Sequence, residues 1–207
     1  MMTGNGPNQE PYYEKLLHIR TGGSQESHMG FHYYRYEPTP YFALEQLFGQ
    51  YDVSGAHQFV DFGCGKGRFP FFVHHFLEMR TIGIEMNDSL YQRAQENLKN
   101  YTVKNHLTPG HIQFYHCLAE DYRVRSTDDR FYFFNPFSVQ IFMRVVGNIL
   151  KSFEDSPREM HLILYYPSDD YTFFLDHRTA FQLQTEILLQ DEFFRNPNER
   201  FLIYGIR

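Results

Sequence analysis

Three glycines alternate with other residues directly after a short apolar run that contains one acidic side chain. Asp61 lies near the end of this run, and Gly63, Gly65 and Gly67 follow it. Glycine has no side chain, so a loop of this kind turns tightly and lets a ligand approach its backbone closely. Ligands of open α/β sheets bind beyond the carboxyl ends of the strands. The pattern therefore predicts a strand, a ligand-binding loop and a helix, in that order.

A second acidic residue, Glu85, ends the next strand-like run. A carboxylate at that position can accept hydrogen bonds from both hydroxyls of a ribose, so we expect a nucleoside-containing ligand. The alternative is an ordinary turn whose glycines are only structural, but the strand before, the helix after and Glu85 together favour binding. The dinucleotide fingerprint needs a small residue at its third glycine position, and Arg68 stands there instead.

Periodicity along the chain alternates between strand and helix. Apolar residues recur at helical spacing over 69–77, from Ser89 onward with a capping box to Gln92, and from the cap Ser138 to Phe153. Alternation of strands with helices predicts a mostly parallel sheet. The last two runs are joined by a loop too short for a crossover helix, so they should form an antiparallel hairpin. The seven predicted strands are 58–62, 81–86, 112–117, 130–134, 160–166, 181–189 and 200–206.

The acidic-x-G-x-G-x-G pattern resembles motif I of the class I S-adenosylmethionine-dependent methyltransferases, and the resemblance runs from about Phe59 to the C-terminus. It implies an α/β, Rossmann-like fold with a seven-stranded, mostly parallel sheet, helices on both faces and an antiparallel C-terminal hairpin. We therefore predict an N-terminal extension or lid with a helix over residues 1–50 and a methyltransferase domain over residues 51–207.

The resemblance also implies a set of cofactor contacts. Glu85 would hold the ribose, and Met86 would lie against the adenine. Either Glu120 or Asp121 would accept a hydrogen bond from the adenine amino group, although Asp121 could equally cap a helix. The residues that would hold the methionine end of S-adenosyl-L-methionine are Asp61, Gly63, Cys64, Gly65 and Gly67.

Asn135, Pro136 and Phe137 follow the fourth predicted strand. They are similar to the Asn/Asp-Pro-Pro-aromatic motif of methyltransferases that modify amino or amide nitrogens. The similarity implies that the Asn135 side chain and the adjacent carbonyl hold the acceptor beside the cofactor, while the aromatic ring stacks on a planar group. One proline is missing, since Phe137 stands where the second should be. The alternative is a simple turn at Asn135-Pro136.

Aromatic residues cluster between positions 28 and 41, ahead of a predicted helix. Such rings can enclose a substrate or lie against a cation. As a group they predict a lid over the site, although each ring could instead pack the extension onto the sheet. The candidate lid residues are Phe31, Tyr33, Tyr34, Tyr36 and Tyr41.

Composition limits the remaining possibilities. The 207 residues carry a net charge of −6 and two cysteines. This charge makes a nucleic acid substrate less favoured than a small molecule or a protein side chain. No secretory signal and no apolar run long enough to span a membrane is present, so a cytoplasmic protein is expected. Neither the histidines nor the cysteines have zinc-site spacing, so no metal is expected. The oligomeric state stays open.

A charged stretch before the fourth strand looks like a solvated loop, because Arg125 and Arg130 enclose Asp128 and Asp129. The function predicted from these features is methyl transfer to a nitrogen or oxygen acceptor. Two alternatives remain: a non-catalytic S-adenosylmethionine-binding subunit of a larger methyltransferase, and an NAD(P)-dependent oxidoreductase.

Overall fold

A computed structural model describes residues 9–23, 33–105, 109–189, 192 and 195–207. Within these ranges the chain forms seven strands in one sheet. The strands are β1 (Gln58–Phe62), β2 (Arg80–Glu85), β3 (Ile112–His116), β4 (Arg130–Phe133), β5 (Met160–Tyr165), β6 (Gln182–Leu188) and β7 (Arg200–Ile206). Their order across the sheet is β3-β2-β1-β4-β5-β7-β6. All neighbours pair in parallel except β7, which is antiparallel to both β5 and β6. The predicted sheet and its terminal hairpin are therefore confirmed.

Alternate residues of the strands enter two hydrophobic clusters on opposite faces of the sheet. In β1, Phe59 joins one cluster, whereas Val60 and Phe62 join the other. This follows from the period of two along a strand. Helices cover both faces: α1 (Glu10–Leu17), α2 (Tyr41–Gln50), α3 (Arg68–Leu77), α4 (Asp88–Asn105), α5 (Val139–Asp155) and α6 (Asp169–Arg178). Residues of α1 to α4 join the first cluster, and residues of α5 and α6 join the second.

Two helices have no counterpart in the sequence prediction. Only two residues of α1 are buried, Tyr13 and Leu17, and only two of α6, Tyr171 and Leu175. A single i, i+4 pair is too weak a periodic signal to predict a helix. The start of α4 also differs from the prediction. Asn87, not Ser89, caps it, because its Oδ1 accepts a hydrogen bond from the Leu90 amide at 3.1 Å.

Asp128, Asp129 and Arg130 are buried, so the prediction of a solvated loop was wrong for these residues, whereas Arg125 is exposed as predicted. Asp129 accepts hydrogen bonds from the backbone amides of His57 at 2.8 Å and Gln58 at 3.2 Å. Asp128 accepts one from the Tyr122 hydroxyl at 2.9 Å. These carboxylates hold the amino ends of β1 and β4 together, and neighbouring amides and arginines offset the cost of burying them. Asp128 and Asp129 lie at the amino ends of the strands, whereas the glycine loop lies at the carboxyl ends.

The N-terminal extension shares the core of the sheet. Tyr13 of α1 stacks on Tyr41 of α2, with ring centroids 4.6 Å apart, and both rings belong to the same cluster as Phe72 of α3. The division of the chain at residue 50 stays a prediction. No helix in the described ranges has both the length and the apolar character needed to cross a membrane.

Candidate functional site

A cavity of about 750 Å³ opens at the carboxyl ends of β1 to β4. In this sheet β2 and β3 lie on one side of β1, and β4 lies on its other side, so the strand order reverses at β1. A ligand of an open α/β sheet usually binds at such a reversal. We call this cavity the glycine-loop cavity. Its lining from the strand ends and α4 consists of Gly63, Ile84, Glu85, Met86, Asn87, Leu90, Cys117, Ala119, Phe134, Pro136 and Phe137, and its outer wall is residues 33–37.

The glycine loop keeps close contact with its neighbours because it has no side chains at three positions. Gly63, Gly65 and Gly67 all have positive φ, at 80°, 55° and 89°. A Cβ added to Gly63 would lie 2.6 Å from Cβ of Pro136. The amides of Gly63 and Cys64 both donate to the Ile84 carbonyl, at 2.9 and 3.0 Å. The loop is therefore fixed against both β2 and the segment that follows β4.

Glu85 joins the glycine loop to the end of β2. Its Oε2 accepts a hydrogen bond from the Gly65 amide at 2.9 Å, and its Oε1 accepts one from the Asn87 amide at 2.7 Å. Burial raises the pKa of this carboxyl. Burial also raises the pKa of Asp61 well above its ordinary value, and the nearby Glu85 raises it further. Two buried carboxyl groups close to each other favour a ligand that brings positive charge or hydrogen-bond donors.

The segment after β4 holds Asn135 in a left-handed conformation, with φ at 39°. Asparagine tolerates this region better than most residues. The Oδ1 atom of Asn135 is buried and has no hydrogen-bond partner within the described part of the chain. An unpaired buried acceptor is costly unless a ligand supplies the donor. The Pro136 carbonyl accepts a hydrogen bond from the Tyr34 amide at 3.1 Å, and the Phe137 carbonyl accepts one from the Tyr171 hydroxyl.

Residues 33–37 cover the cavity from the N-terminal side. Tyr33 forms an antiparallel bridge with Phe137, and its hydroxyl donates to Oε2 of Glu120 at 3.2 Å. Burial, together with the Glu120 charge, raises the pKa of Tyr33 to about 12. The Tyr36 ring lies directly over Gly65, and its hydroxyl donates to the Thr21 carbonyl at 2.7 Å. The segment is therefore held at both ends.

The structure brings half of the predicted site residues that it describes to this cavity. Gly63, Glu85, Met86, Pro136 and Phe137 line it, as do Tyr33, Tyr34 and Tyr36 of the predicted lid. Asn135 instead lines a neighbouring cavity, which Tyr34 shares. The predicted residues that line neither are Asp61, Cys64, Gly65, Gly67, Tyr41, Glu120 and Asp121. Among the described residues, no group of three histidine, cysteine or acidic side chains could hold a metal ion.

Three of these placements have a clear physical cause. Tyr36 stands between Gly65 and the cavity. Tyr41 is fully buried beneath the Arg68 guanidinium, which lies 4.3 Å from its ring centroid, so it belongs to the core and not to the lid surface. Glu120 reaches the cavity only through the Tyr33 hydroxyl. Phe31 lies outside the described residues.

Several lining residues were absent from the sequence prediction. Asn87 and Leu90 follow Glu85 directly, and Cys117 and Ala119 follow β3. Their position immediately after a strand end was the available signal, since the carboxyl ends of parallel strands meet at one edge. Arg35 and Glu37 carried no signal of their own, because their place depends on how the extension folds back over the sheet.

Arg68 ties the N-terminal extension to the end of the glycine loop. Its guanidinium is buried and donates to Oγ1 of Thr21 at 2.7 Å and to the Thr39 carbonyl at 3.0 Å. It also pairs with Glu10 at 2.5 Å and with Glu14 at 3.3 Å. Arginine suits this role because its fork presents five donors in fixed directions. Arg68, which departs from the dinucleotide fingerprint, thus holds the N-terminal extension against the end of the glycine loop.

Comparison of the sequence with protein-family models and with curated proteins finds no match. Comparison of the fold with solved structures does find matches. An RNA methyltransferase from Salinibacter ruber in complex with S-adenosyl-L-homocysteine is 19% identical, with a TM-score of 0.55, over 82% of this chain and 92% of that chain. The tRNA (uracil-54, C5)-methyltransferase of Pyrococcus abyssi, also with S-adenosyl-L-homocysteine, is 15% identical, with a TM-score of 0.56, over 81% of this chain.

A mitomycin 7-O-methyltransferase is 14% identical, with a TM-score of 0.56, over 80% of this chain. The present chain spans 38% of the Pyrococcus abyssi chain and 53% of this third one, so it matches only part of either protein. Two of the three named proteins are described as methyltransferases of RNA or tRNA, and the third as a methyltransferase of mitomycin. The chain therefore has the class I methyltransferase fold that the resemblance of its glycine motif implied.

Proposed function

We propose that this chain is an S-adenosylmethionine-dependent methyltransferase whose acceptor is a nitrogen atom. The observation that carries the proposal is the meeting of three features at one edge of the sheet. These are the glycine loop, the buried Glu85 and the Asn135 side chain with its unpaired Oδ1. Each follows a different strand, and the first and third are in contact through Gly63 and Pro136.

The residues present fit the cofactor. The Glu85 carboxylate borders the cavity where the ribose hydroxyls would donate to it, and Met86 and Leu90 offer apolar surface to the adenine. Asp61 would attract the positively charged methionine end, because a buried carboxylate without a cationic partner favours a cation. When bound, the cofactor supplies a methyl group that its sulfonium has already activated.

What the chain supplies is position and exclusion of water. Asn135 Oδ1 would accept a hydrogen bond from an N–H group of the acceptor, which holds the nitrogen and directs its lone pair. Phe134 lines both this cavity and the neighbouring cavity that contains Asn135, and Pro136 and Phe137 add apolar surface to the first. Residues 33–37 act as the lid in this proposal and keep solvent from the acceptor nitrogen.

A nitrogen acceptor is favoured over an oxygen acceptor because of the chemistry of Asn135. Its Oδ1 can only accept a hydrogen bond, and an amino group offers N–H donors while retaining a lone pair for the methyl group. A small molecule or a protein side chain remains our preferred acceptor, and the net charge of −6 disfavours a nucleic acid.

One observation favours the second candidate, a non-catalytic S-adenosylmethionine-binding subunit. The Tyr34 amide donates to the Pro136 carbonyl, and that carbonyl is the group implied to receive the acceptor nitrogen. If the contact persists with ligand bound, the acceptor keeps only Asn135 as a partner. Copurification with a partner chain, and no methylation by the isolated chain, would support this candidate.

The direct test is calorimetric titration of the purified chain with S-adenosyl-L-homocysteine, with NADH titrated in parallel. Micromolar binding of S-adenosyl-L-homocysteine alone supports the proposal. Binding of NADH alone would contradict it and support the oxidoreductase alternative. Glu85→Gln serves as the matched variant, because it keeps the shape of the side chain but removes the charge that receives the ribose hydroxyls.

A further inference from the structure

A second cavity of about 980 Å³ adjoins the glycine-loop cavity, with which it shares four lining residues. We call it the Asn135 cavity. Phe134 belongs to both linings, as do Tyr34, Arg35 and Glu37 of the N-terminal segment. The remaining walls come from Pro38 and Pro40, from Tyr165 at the end of β5 and Tyr166 after it, and from Glu199 before β7.

Aromatic rings form one wall of the Asn135 cavity. The Phe134 ring lies 4.6 Å from that of Tyr165 and 6.4 Å from that of Tyr166, measured between centroids. Tyr166 has a positive φ of 50°, and the Asn196 amide group donates to its hydroxyl at 2.7 Å. The left-handed backbone and this hydrogen bond fix the ring at the wall. Faces of aromatic rings attract organic cations.

Glu199 gives the cavity a negative charge. Its Oε2 accepts a hydrogen bond from the Tyr165 hydroxyl at 2.6 Å, and this negative charge is one reason that the pKa of Tyr165 is raised. The other charged side chains of the lining are Arg35 and Glu37, which pair with each other at 3.7 Å. Arg200 follows Glu199 directly in the sequence, but it pairs with Glu186 at 2.9 Å. The lining thus has one carboxylate more than it has cations.

From these contacts, and resting on the proposed function, we infer that the Asn135 cavity selects an acceptor that is an organic cation carrying N–H groups, an ammonium or a guanidinium. Asn135 Oδ1 receives one N–H, and Glu199 receives the charge. Before transfer, the cation gives one proton to the Glu199 carboxylate, which frees a nitrogen lone pair to form the N–CH3 bond as the C–S bond of the cofactor breaks. The rings of Phe134 and Tyr166 flank the carbon skeleton. A free amine and a lysine or arginine side chain share this chemistry. Glu199 is therefore a specificity-determining residue.

The test compares binding of a charged probe with that of its neutral isostere. Benzylamine and benzyl alcohol differ only in the amino or hydroxyl group, and agmatine and a short lysine-containing peptide represent the two sources of the cation. Each is titrated calorimetrically into the full chain, both with and without S-adenosyl-L-homocysteine. We expect at least one cation to bind, and benzylamine to bind about tenfold or more tightly than benzyl alcohol, because a partly desolvated carboxylate discriminates charge.

Glu199→Gln is the decisive variant, since its amide oxygen still accepts the Tyr165 hydroxyl. It should reduce the preference for benzylamine to about twofold or less, which is the level expected without a charge pair, and leave the affinity for S-adenosyl-L-homocysteine unchanged. Glu186→Gln is the matched control, because it removes one charge from the same hairpin outside the cavity. It should change neither affinity.

The outcomes separate this inference from the proposed function. Equal binding of benzylamine and benzyl alcohol, a preference that survives Glu199→Gln, or no binding of any cation would overturn the inference. None of these results depends on whether S-adenosyl-L-homocysteine binds. The binding of S-adenosyl-L-homocysteine tests only the proposed function. Tighter binding of the peptide than of agmatine would assign the cation to a protein side chain, and the reverse would assign it to a free amine.

Discussion

The ring of Tyr36 covers Gly65 so closely that a Cβ on the glycine would overlap it. The contact joins two parts of the chain that are far apart in sequence, the N-terminal segment and the loop after β1. Lys66 strengthens the contact, because its Nζ lies 4.9 Å from the centroid of the same ring and donates to the Gly22 carbonyl at 2.8 Å. The glycine is thus required by the close approach of the Tyr36 ring.

Gly65→Ala should therefore displace Tyr36 and loosen the lid. The added methyl group overlaps the ring, and the positive φ of 55° costs a non-glycine residue about 1–2 kcal/mol. We expect a lower midpoint of thermal unfolding and weaker binding of S-adenosyl-L-homocysteine, measured by calorimetry. The matched control is Gly147→Ala in α5, where no atom lies within 4 Å of the added Cβ, and which should be neutral or slightly stabilising. Equal effects of both substitutions would show that the ring contact is unimportant.

Tyr36→Phe tests the hydrogen bond that holds the ring in place. The variant keeps the ring over Gly65 but removes the donor to the Thr21 carbonyl, at a cost of about 1 kcal/mol. We expect a modest loss of stability and faster dissociation of S-adenosyl-L-homocysteine, measured by stopped-flow displacement. Tyr34→Phe is the control, since Tyr34 contacts Pro136 through its backbone amide, which the substitution keeps. An unchanged dissociation rate in Tyr36→Phe would argue against a lid.

The sheet and most helices could be predicted because their signals are local. The strand β1 is buried along its whole length and mostly apolar, and α3 and α5 have clear periodic faces. The helix α6 was missed because only Tyr171 and Leu175 of its residues are buried. The charges at Asp128 and Asp129 were misinterpreted for a related reason. Burial of a charge depends on partners such as His57 and Gln58, which are distant in sequence.

The site could be predicted where a motif follows a strand and not where the extension folds back. Glu85 and Pro136 line the cavity because topology alone brings strand ends together. Tyr41 resembled the other rings of its segment in sequence, yet it begins a helix and is buried against Tyr13. Glu199 lies in the hairpin loop and carried no motif. Its place beside Asn135 follows only from the pairing of β5 with β7.

Asn135 can be tested without disturbing its backbone. Glycine adopts the positive φ of this position freely, so Asn135→Gly removes the side chain without backbone strain, whereas Asn135→Ala keeps Cβ and adds strain. We expect both variants to bind S-adenosyl-L-homocysteine within a few-fold of the parent chain. Methyl transfer to an amine that binds the Asn135 cavity should fall by about a hundredfold or more, which is typical for loss of an oriented polar group. If Asn135→Gly retained full turnover, the Asn135 side chain would have no role in holding the acceptor, and the residue would serve only in the turn.

Arg68 should be the most sensitive position of the extension. Arg68→Met leaves Glu10 and Glu14 without their buried cation, and breaking a buried pair in this way costs about 3–5 kcal/mol. The unfolding midpoint in urea should fall accordingly. Arg93→Met is the control, because Arg93 pairs with Glu96 on the exposed face of α4 and should leave the midpoint unchanged. Adding Glu10→Gln and Glu14→Gln to Arg68→Met should recover part of the loss.

The pKa values of Asp61 and Glu85 predict a coupling between cofactor binding and proton release. Burial raises both pKa values above the unfolded value of about 4, so the folded chain holds these protons to higher pH than an unfolded chain does. The stability that the bound protons contribute is complete below the unfolded pKa and is lost as the pH rises through the folded pKa. The α-ammonium group of S-adenosyl-L-homocysteine, whose thioether lacks the sulfonium charge of the methyl donor, favours the ionised carboxylates.

Binding of S-adenosyl-L-homocysteine should therefore strengthen as the pH rises through the folded pKa of Asp61, and it should release a proton where that carboxyl is still protonated. Calorimetry at one pH in two buffers with different ionisation enthalpies measures the number of protons released. Asp61→Asn should abolish most of this release and weaken binding at high pH. Asp52→Asn is the control, because Asp52 is exposed and the hydrogen bonds from Ser54 lower its pKa. Identical heats in the two buffers at every pH would show that neither buried carboxyl changes its charge when the ligand binds.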